Sequence, residues 1–214
     1  MLVLGLKILV SYLLGSVNGS LLLGRLRGVD IRTQGSGNAG GTNALRTQGK
    51  WFAGLVILID IGKGWLATAW LPGLVLPGVA ADPAISEAWL ALACAAAVIH
   101  GHCYPLWFGF QGGKGAATAV GALLGLAPGL VLPAAVVWLL ILVLTGMVGL
   151  ATMLAAACVP IYMLATGTQG QMPLLLFCIV LAGYIVFTHR TNIQRIRRGE
   201  ETRIESVMLL RRRH

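Results

Sequence analysis

Long apolar runs interrupted by short polar islands dominate this chain. A helix needs about 20 apolar residues, or ~30 Å at 1.5 Å per residue, to cross the hydrocarbon of a bilayer. Runs of that kind lie at residues 2–24, 51–71, 87–108, 129–145, 148–166 and 172–189. A further stretch, 116–127, is equally apolar but reaches only ~18 Å as a helix. The opening run, MLVLGLKILV, places Lys7 ahead of apolar residues as a secretory signal does. No small-residue cleavage site followed by a soluble stretch comes after it, so it is read as a span.

Composition agrees with the pattern. With 57% hydrophobic and 11% charged residues in 214, the chain cannot furnish a water-facing surface, and an integral membrane protein is expected. Six Trp and four Tyr fall largely near the ends of the runs, where interfacial anchors sit.

Charge then orients the spans. Arg25, Arg27, Arg32, Arg46 and Lys50 fill the first connection, Lys114 the third, and Arg190, Arg195, Arg197, Arg198, Arg203 and Arg211, Arg212 and Arg213 the tail. The connection after Pro72 carries Asp82 and Glu87 without a base, and the one after Thr166 has no charge. The positive-inside rule puts the basic segments in the cytoplasm. Lys114 and Arg190 on one side require an even number of crossings between them, whereas the full-length runs there number three. The short stretch 116–127 therefore supplies the fourth. The expected fold is an all-α integral membrane protein with seven transmembrane helices, the fourth short, the N-terminus outside and the C-terminus cytoplasmic. Residues 1–190 form the membrane domain and 191–214 a basic cytoplasmic tail, read as a surface helix against anionic headgroups.

Three polar islands fall on the cytoplasmic side of that topology. The first, GSGNAGGTNALR at 35–46, combines glycines with hydroxyl and amide side chains and Arg46. The second, GHCYPLWFGFQGGKGAAT at 101–118, surrounds Lys114 with Gly112, Gly113 and Gly115 just before a helix. The third, HRTNIQRIRRGEETRI, covers 189–204. Glycine loops leave backbone N–H groups able to converge on one point, and a helix start with a lysine completes an anion site. The second island is not a Walker A loop, since Gly115 and not Ser or Thr follows Lys114 and Phe108 stands where that motif needs Gly. Nucleotide and nucleic-acid binding are not indicated. Together the islands point to a site for phosphate or another oxyanion.

Other features have simpler readings. Gly15 and Gly19, and the small residues of 91–97, permit close helix approach. Cys94, Cys103, Cys158 and Cys178 are isolated and read as buried apolar side chains. Asp60 and Lys63, three apart near the middle of a span, share one helix face and must avoid lipid. They are read either as an ion pair fixing helix packing or as groups near a charged substrate. His100, His102 and His189 match no Ser-His-Asp, Cys-His or HxxxxD arrangement. The scattered carboxylates offer no metal cluster. Positioning and charge stabilisation, without a protein nucleophile, fit what is present.

The three islands resemble, in order and spacing, the motifs of the bacterial acyl-phosphate:glycerol-3-phosphate acyltransferase family. GSGNxGxTNxxR is matched at 35–46 and GHxxPxFxxFKGGKGxAT at 101–118, while HxxNIxRLxxGxExK is matched by His189, Asn192, Ile193, Arg195, Gly199 and Glu201. DxxKG is similar to Asp60, Lys63 and Gly64. The resemblance implies a seven-helix enzyme of the bacterial cytoplasmic membrane whose active site faces the cytoplasm. Such an enzyme moves an acyl chain from acyl phosphate to position 1 of sn-glycerol 3-phosphate, releasing lysophosphatidate and inorganic phosphate for phospholipid synthesis. It implies no metal, no cofactor and no obligate protein partner; the partners are the two substrates and membrane lipid. By position, Ser36, Arg46, Lys114, His189 and Asn192 would hold the two phosphates, with Asn38, Thr42, Asn43, Gly112 and Gly113 shaping the loops. Direct attack by the acceptor hydroxyl needs no covalent enzyme intermediate, and a substrate phosphate is expected to take its proton.

Three departures from the family pattern matter. Gln111 stands in place of Lys, Arg203 in place of Lys, and Gly149 where the family commonly has Ser. The alternative class is a transporter of organic phosphates, which would show inverted symmetry and a midplane site. The two halves of this sequence do not resemble each other.

Overall fold

The computed structural model describes residues 1–75, 77–78, 85–167 and 171–209. Asp82 and Arg211, Arg212 and Arg213 lie outside the described residues. The described residues are helical with connecting turns and no strand, and they pack as two units, Met1–Pro128 and Gly129–His214.

In the first unit α1 (Leu2–Ser16) and α2 (Gly19–Leu26) take the place of the expected single run at 2–24, and a 50° bend separates them. Asn18 is the cause. Its backbone is extended and its side chain accepts from Leu21 N–H at 3.2 Å, an N-cap that starts a second helix and so ends the first. The glycine island 35–46 is only half loop, because α3 (Gly41–Gln48) begins at its second glycine pair. α4 (Lys50–Trp65) then continues through a wider π-helical turn to Trp70. α5 (Glu87–Cys103) and the short α6 (Ala116–Leu126) complete the unit.

Small residues set these contacts. A Cβ at Gly15 would overlap the Val98 carbonyl, and one at Gly101 the Tyr12 carbonyl, so α1 and α5 touch backbone to backbone. Gly64 meets Thr118, and Thr68 reaches Ala122 and Gly125; α6 therefore rises beside α4 in the same sense. That parallel pairing suits a helix entering from the same side as α4.

The second unit holds α7 (Val131–Thr145), α8 (Val148–Ala165), α9 (Met172–Thr188) and α10 (Arg190–Arg197), with a 56° bend between the last two. The expected surface helix over the tail stops at Arg197. Gly199, at φ +72°, turns the chain, and Ile204 N–H and Leu209 N–H donate to the carbonyls of Gly146 and Val143. The described part of the tail is thus fastened to the α7–α8 corner.

Four helical stretches among the described residues are long and apolar enough to cross a membrane, or six if each bent pair is one span, and α6 is a shorter apolar helix. Large apolar side chains such as Leu58, Leu132, Leu140, Ile161 and Val180 point outward, as lipid-facing residues do. Trp51, Trp65, Trp70, Trp89 and Trp107 are also exposed. All four cysteines are free, three of them buried.

Candidate active-site loops

The first glycine loop is assembled around Asn43. Its carboxamide oxygen accepts from Ser36 N–H at 2.9 Å while its nitrogen donates to Ile31 O at 3.1 Å and Gln34 O at 3.0 Å. The side chain is 1% exposed, so these bonds face little competition from water. Asn43 therefore fixes where Ser36 stands, and Ser36 itself is exposed at the tip. Gly35 and Gly37 have φ of +56° and +72°, and a Cβ on Gly35 would overlap the Asn43 oxygen. Thr42 and Arg46, four apart on α3, share a face. Asn38 folds over Gly40.

The second loop closes on the end of α5. Gly112 N–H donates to Cys103 O at 3.0 Å and Gly113 N–H to His102 O at 3.2 Å. The sequence reading had these glycines offering N–H groups to an anion; instead those two N–H groups shape the loop. Neither tolerates a side chain. A Cβ on Gly112 would overlap His102 O, and one on Gly113 would overlap His102 Nε2 and press on Ala39 O. Gly115, at φ +83°, starts α6, whose first turn and Lys114 supply the positive end. Lys114 is half-buried.

Two side chains join the loops. Arg32 donates to Phe108 O at 2.9 Å and Gln111 O at 3.2 Å, and Asp30 holds its guanidinium from the other side at 2.8 Å. The hydrogen bonds from Arg32 keep the Asp30 carboxyl below the usual range, and those to Asp30 raise Arg32. Gln111 thus meets the rest of the site through its backbone. Asn18 donates to Ala39 O at 3.2 Å in the first loop and to His102 O at 3.4 Å where the second begins. Sequence reading did not single out Arg32 or Asn18. For Asn18 the signal was present: SVNGS is a capping sequence inside an apolar run.

Asp60 and Lys63 form an ion pair at 2.9 Å, both at most 4% exposed. Lys63 also donates to Gly15 O and Val17 O, and Asp60 accepts from Gly19 N–H at 3.1 Å. The pair therefore satisfies the backbone groups orphaned by the α1–α2 break. His102 Nδ1 lies 3.3 Å from the same Asp60 oxygen, and its other ring nitrogen faces Gly113.

In the second unit His189 caps α9. Its Nδ1 is 2.7 Å from Ile185 O, and because a carbonyl only accepts, that nitrogen carries the proton. Asn192 donates to Glu201 at 2.6 Å, and Arg195 donates to the other oxygen of the same carboxylate at 2.7 Å. Asn192 lies against Gly149 so closely that a Cβ there would overlap its amide. Thr145 and Thr152 bond within the helical hairpin, to Ile141 O and Val148 O. No group of three or more His, Cys, Asp or Glu able to hold a metal occurs among the described residues.

An all-helical membrane protein with two cross-braced glycine loops and a lysine at a helix start is the class that this geometry defines. Residues 5–199 match the family described as glycerol-3-phosphate acyltransferase, and the chain belongs to that family. A relative of that name from Synechococcus sp. (strain JA-2-3B'a(2-13)) is 42% identical over 93% of this chain and 94% of its own. One from Jannaschia sp. (strain CCS1) is 42% identical over 95% and 94%, and one from Clostridioides difficile (strain 630) is 38% identical over 91% and 92%. The fold is similar to the crystal structure of PlsY (YgiH), an integral membrane glycerol 3-phosphate acyltransferase, in its glycerol 3-phosphate form. That match has a TM-score of 0.81 and 32% identity over 94% of this chain and 95% of the other. The lysophosphatidic acid form of PlsY matches with a TM-score of 0.78 at 31% identity over 94% of each chain.

Proposed function

We propose that this protein transfers a fatty acyl group from acyl phosphate to the 1-hydroxyl of sn-glycerol 3-phosphate, giving lysophosphatidate and inorganic phosphate. The acceptor hydroxyl attacks the acyl carbonyl, the bond from the carbonyl carbon to the bridging oxygen of the acyl phosphate anhydride breaks, and phosphate leaves carrying the electron pair. A substrate phosphate oxygen takes the hydroxyl proton, so no protein base is required. No covalent enzyme intermediate forms.

The observation that carries this reading is the pairing of the two glycine loops. Gly113, next to Lys114, lies against Ala39 of the loop that presents Ser36, and Arg32 ties the loops together. Loops held this way suit oriented anionic groups, which is what a dianionic acceptor and an anionic donor require. Ser36, Arg46 and Lys114 are assigned to phosphate binding, with Asn38, Thr42 and Asn43 shaping the first loop and Gly112 and Gly113 the second. His189 and Asn192 are assigned to phosphate as well. Family membership and the glycerol 3-phosphate and lysophosphatidic acid forms of PlsY support the choice of acceptor and product. Seven helices, an outside N-terminus and a site facing the cytoplasm, in a bacterial cytoplasmic membrane, complete the reading, supported by the basic first and third connections.

The test is phosphate release by purified protein given palmitoyl phosphate without metal, with and without glycerol 3-phosphate. Release that depends on the acceptor and is lost in Lys114→Ala is expected. A silent wild type whose proteoliposomes accumulate labelled glycerol 3-phosphate overturns the reading in favour of transport.

A further inference from the structure

The α1–α2 break lies apart from all three sequence islands, yet both glycine loops are anchored to it. Ser16 Oγ accepts from Leu106 N–H at 3.2 Å, at the entry to the second loop. Lys63 and Asp60 hold the backbone on either side of Asn18. Asn18, wholly buried, uses its oxygen to cap α2 and its nitrogen on Ala39 O and His102 O. His102 O also receives Gly113 N–H, one residue before Lys114. One carboxamide is therefore the shared reference for the backbone that presents Ser36 and the backbone that presents Lys114.

We infer that Asn18 is a positioning residue for acyl transfer: by bonding both loops it sets the separation of their two anion-binding elements, and hence the approach of acceptor to donor. This rests on the acyltransferase reading. Buried bonds of this kind are costly to break. A shift of about 1 Å between reacting groups lowers the rate by about 100-fold while leaving each substrate's own contacts intact. Misplacement should thus appear in kcat more than in KM.

The experiment uses the full chain, purified in detergent or lipidic mesophase, as wild type, Asn18→Ser and Asn18→Asp. Both replacements keep a helix-capping oxygen. Serine is too short to reach both carbonyls, and aspartate donates to a carbonyl only when protonated. Backbone hydrogen exchange of residues 37–41 and 109–114 is read first, because it needs no activity. Exchange is expected to rise in both loops together in Asn18→Ser, with α5 unchanged. In the same variant kcat should fall about 10- to 100-fold with KM for glycerol 3-phosphate within about threefold of wild type. Asn18→Asp should gain activity relative to wild type as pH is lowered, a response that loss of a cap does not produce. Wild-type exchange in both loops, or wild-type kcat in a folded Asn18→Ser, overturns the inference. If wild type itself shows no acceptor-dependent release, the acyltransferase reading fails and the exchange result alone decides whether Asn18 couples the loops.

Discussion

Lys63 Nζ lies 2.9 Å from Asp60 Oδ1 one helical turn away, and between them the two residues bind the backbone on both sides of the α1–α2 break. A charged pair inside a span is explained by what it satisfies: two carbonyls and an N–H group that a straight helix would have bonded internally.

Removing one member should be worse than removing both. Lys63→Met leaves a buried carboxylate and two orphaned carbonyls, and about 3–5 kcal/mol of stability is expected to go. Asp60→Asn combined with Lys63→Met should cost less than the sum of the single changes. Thermal unfolding in one detergent, arranged as a double-mutant cycle, measures the difference; strict additivity would show that the two side chains act independently.

Gly113→Ala should abolish acyl transfer, since the added methyl would overlap His102 and Ala39 and force the Lys114 backbone outward. Gly62→Ala is the matched control. Nothing lies within 4 Å of a Cβ there, so activity should stay within about twofold of wild type and helix propensity should improve slightly. Initial rates of phosphate release from the two variants decide the matter.

The Asp30–Arg32 pair should give the second loop a weak acid sensitivity. The hydrogen bonds from Arg32 lower the native pKa of Asp30, so its contribution is fully present above the unfolded carboxyl range, about pH 4, and is lost as pH falls through the lower native value. The pair is partly exposed, with Asp30 at 41%, so solvent screening keeps the effect small. Exchange at residues 109–114, followed from neutral pH downward, should rise in wild type below that range. In Asp30→Asn it should be raised already at neutral pH and should not respond to acid.

Gly149→Ser should disturb the third motif through Asn192. The new Cβ would displace the Asn192 amide from Glu201, to which it donates at 2.6 Å. A several-fold loss of acyl transfer, with more rapid exchange of the α10 backbone, is the expected result. Full activity would mean that Asn192 keeps its role from a second position.

Much of the membrane architecture was legible in order along the chain. Apolar runs of sufficient length must become helices in hydrocarbon, because backbone polar groups find no water there, and the runs at 51–71, 87–108, 129–145, 148–166 and 172–189 all did. The short α6 was legible too, from the length of its apolar stretch. The islands could be read because glycine, amide and cation together are rare among hydrocarbon side chains, and the family motifs gave them an order.

Tertiary structure decided what holds those islands. Nothing local says that Asn18 reaches Ala39 and His102, that Arg32 reaches Phe108 and Gln111, or that the Gly112 and Gly113 N–H groups turn back onto α5. The Asn18 and Arg32 contacts join residues far apart in the chain, and glycines let α1 and α5, and α4 and α6, approach backbone to backbone. The sequence by itself determined which segments form long apolar helices and where glycine, amide and cationic residues cluster, since both follow from side-chain type and local spacing. What the groups orphaned at the helix break bind and how far apart the two loops stand depend on packing between helices, and only the folded chain settles them.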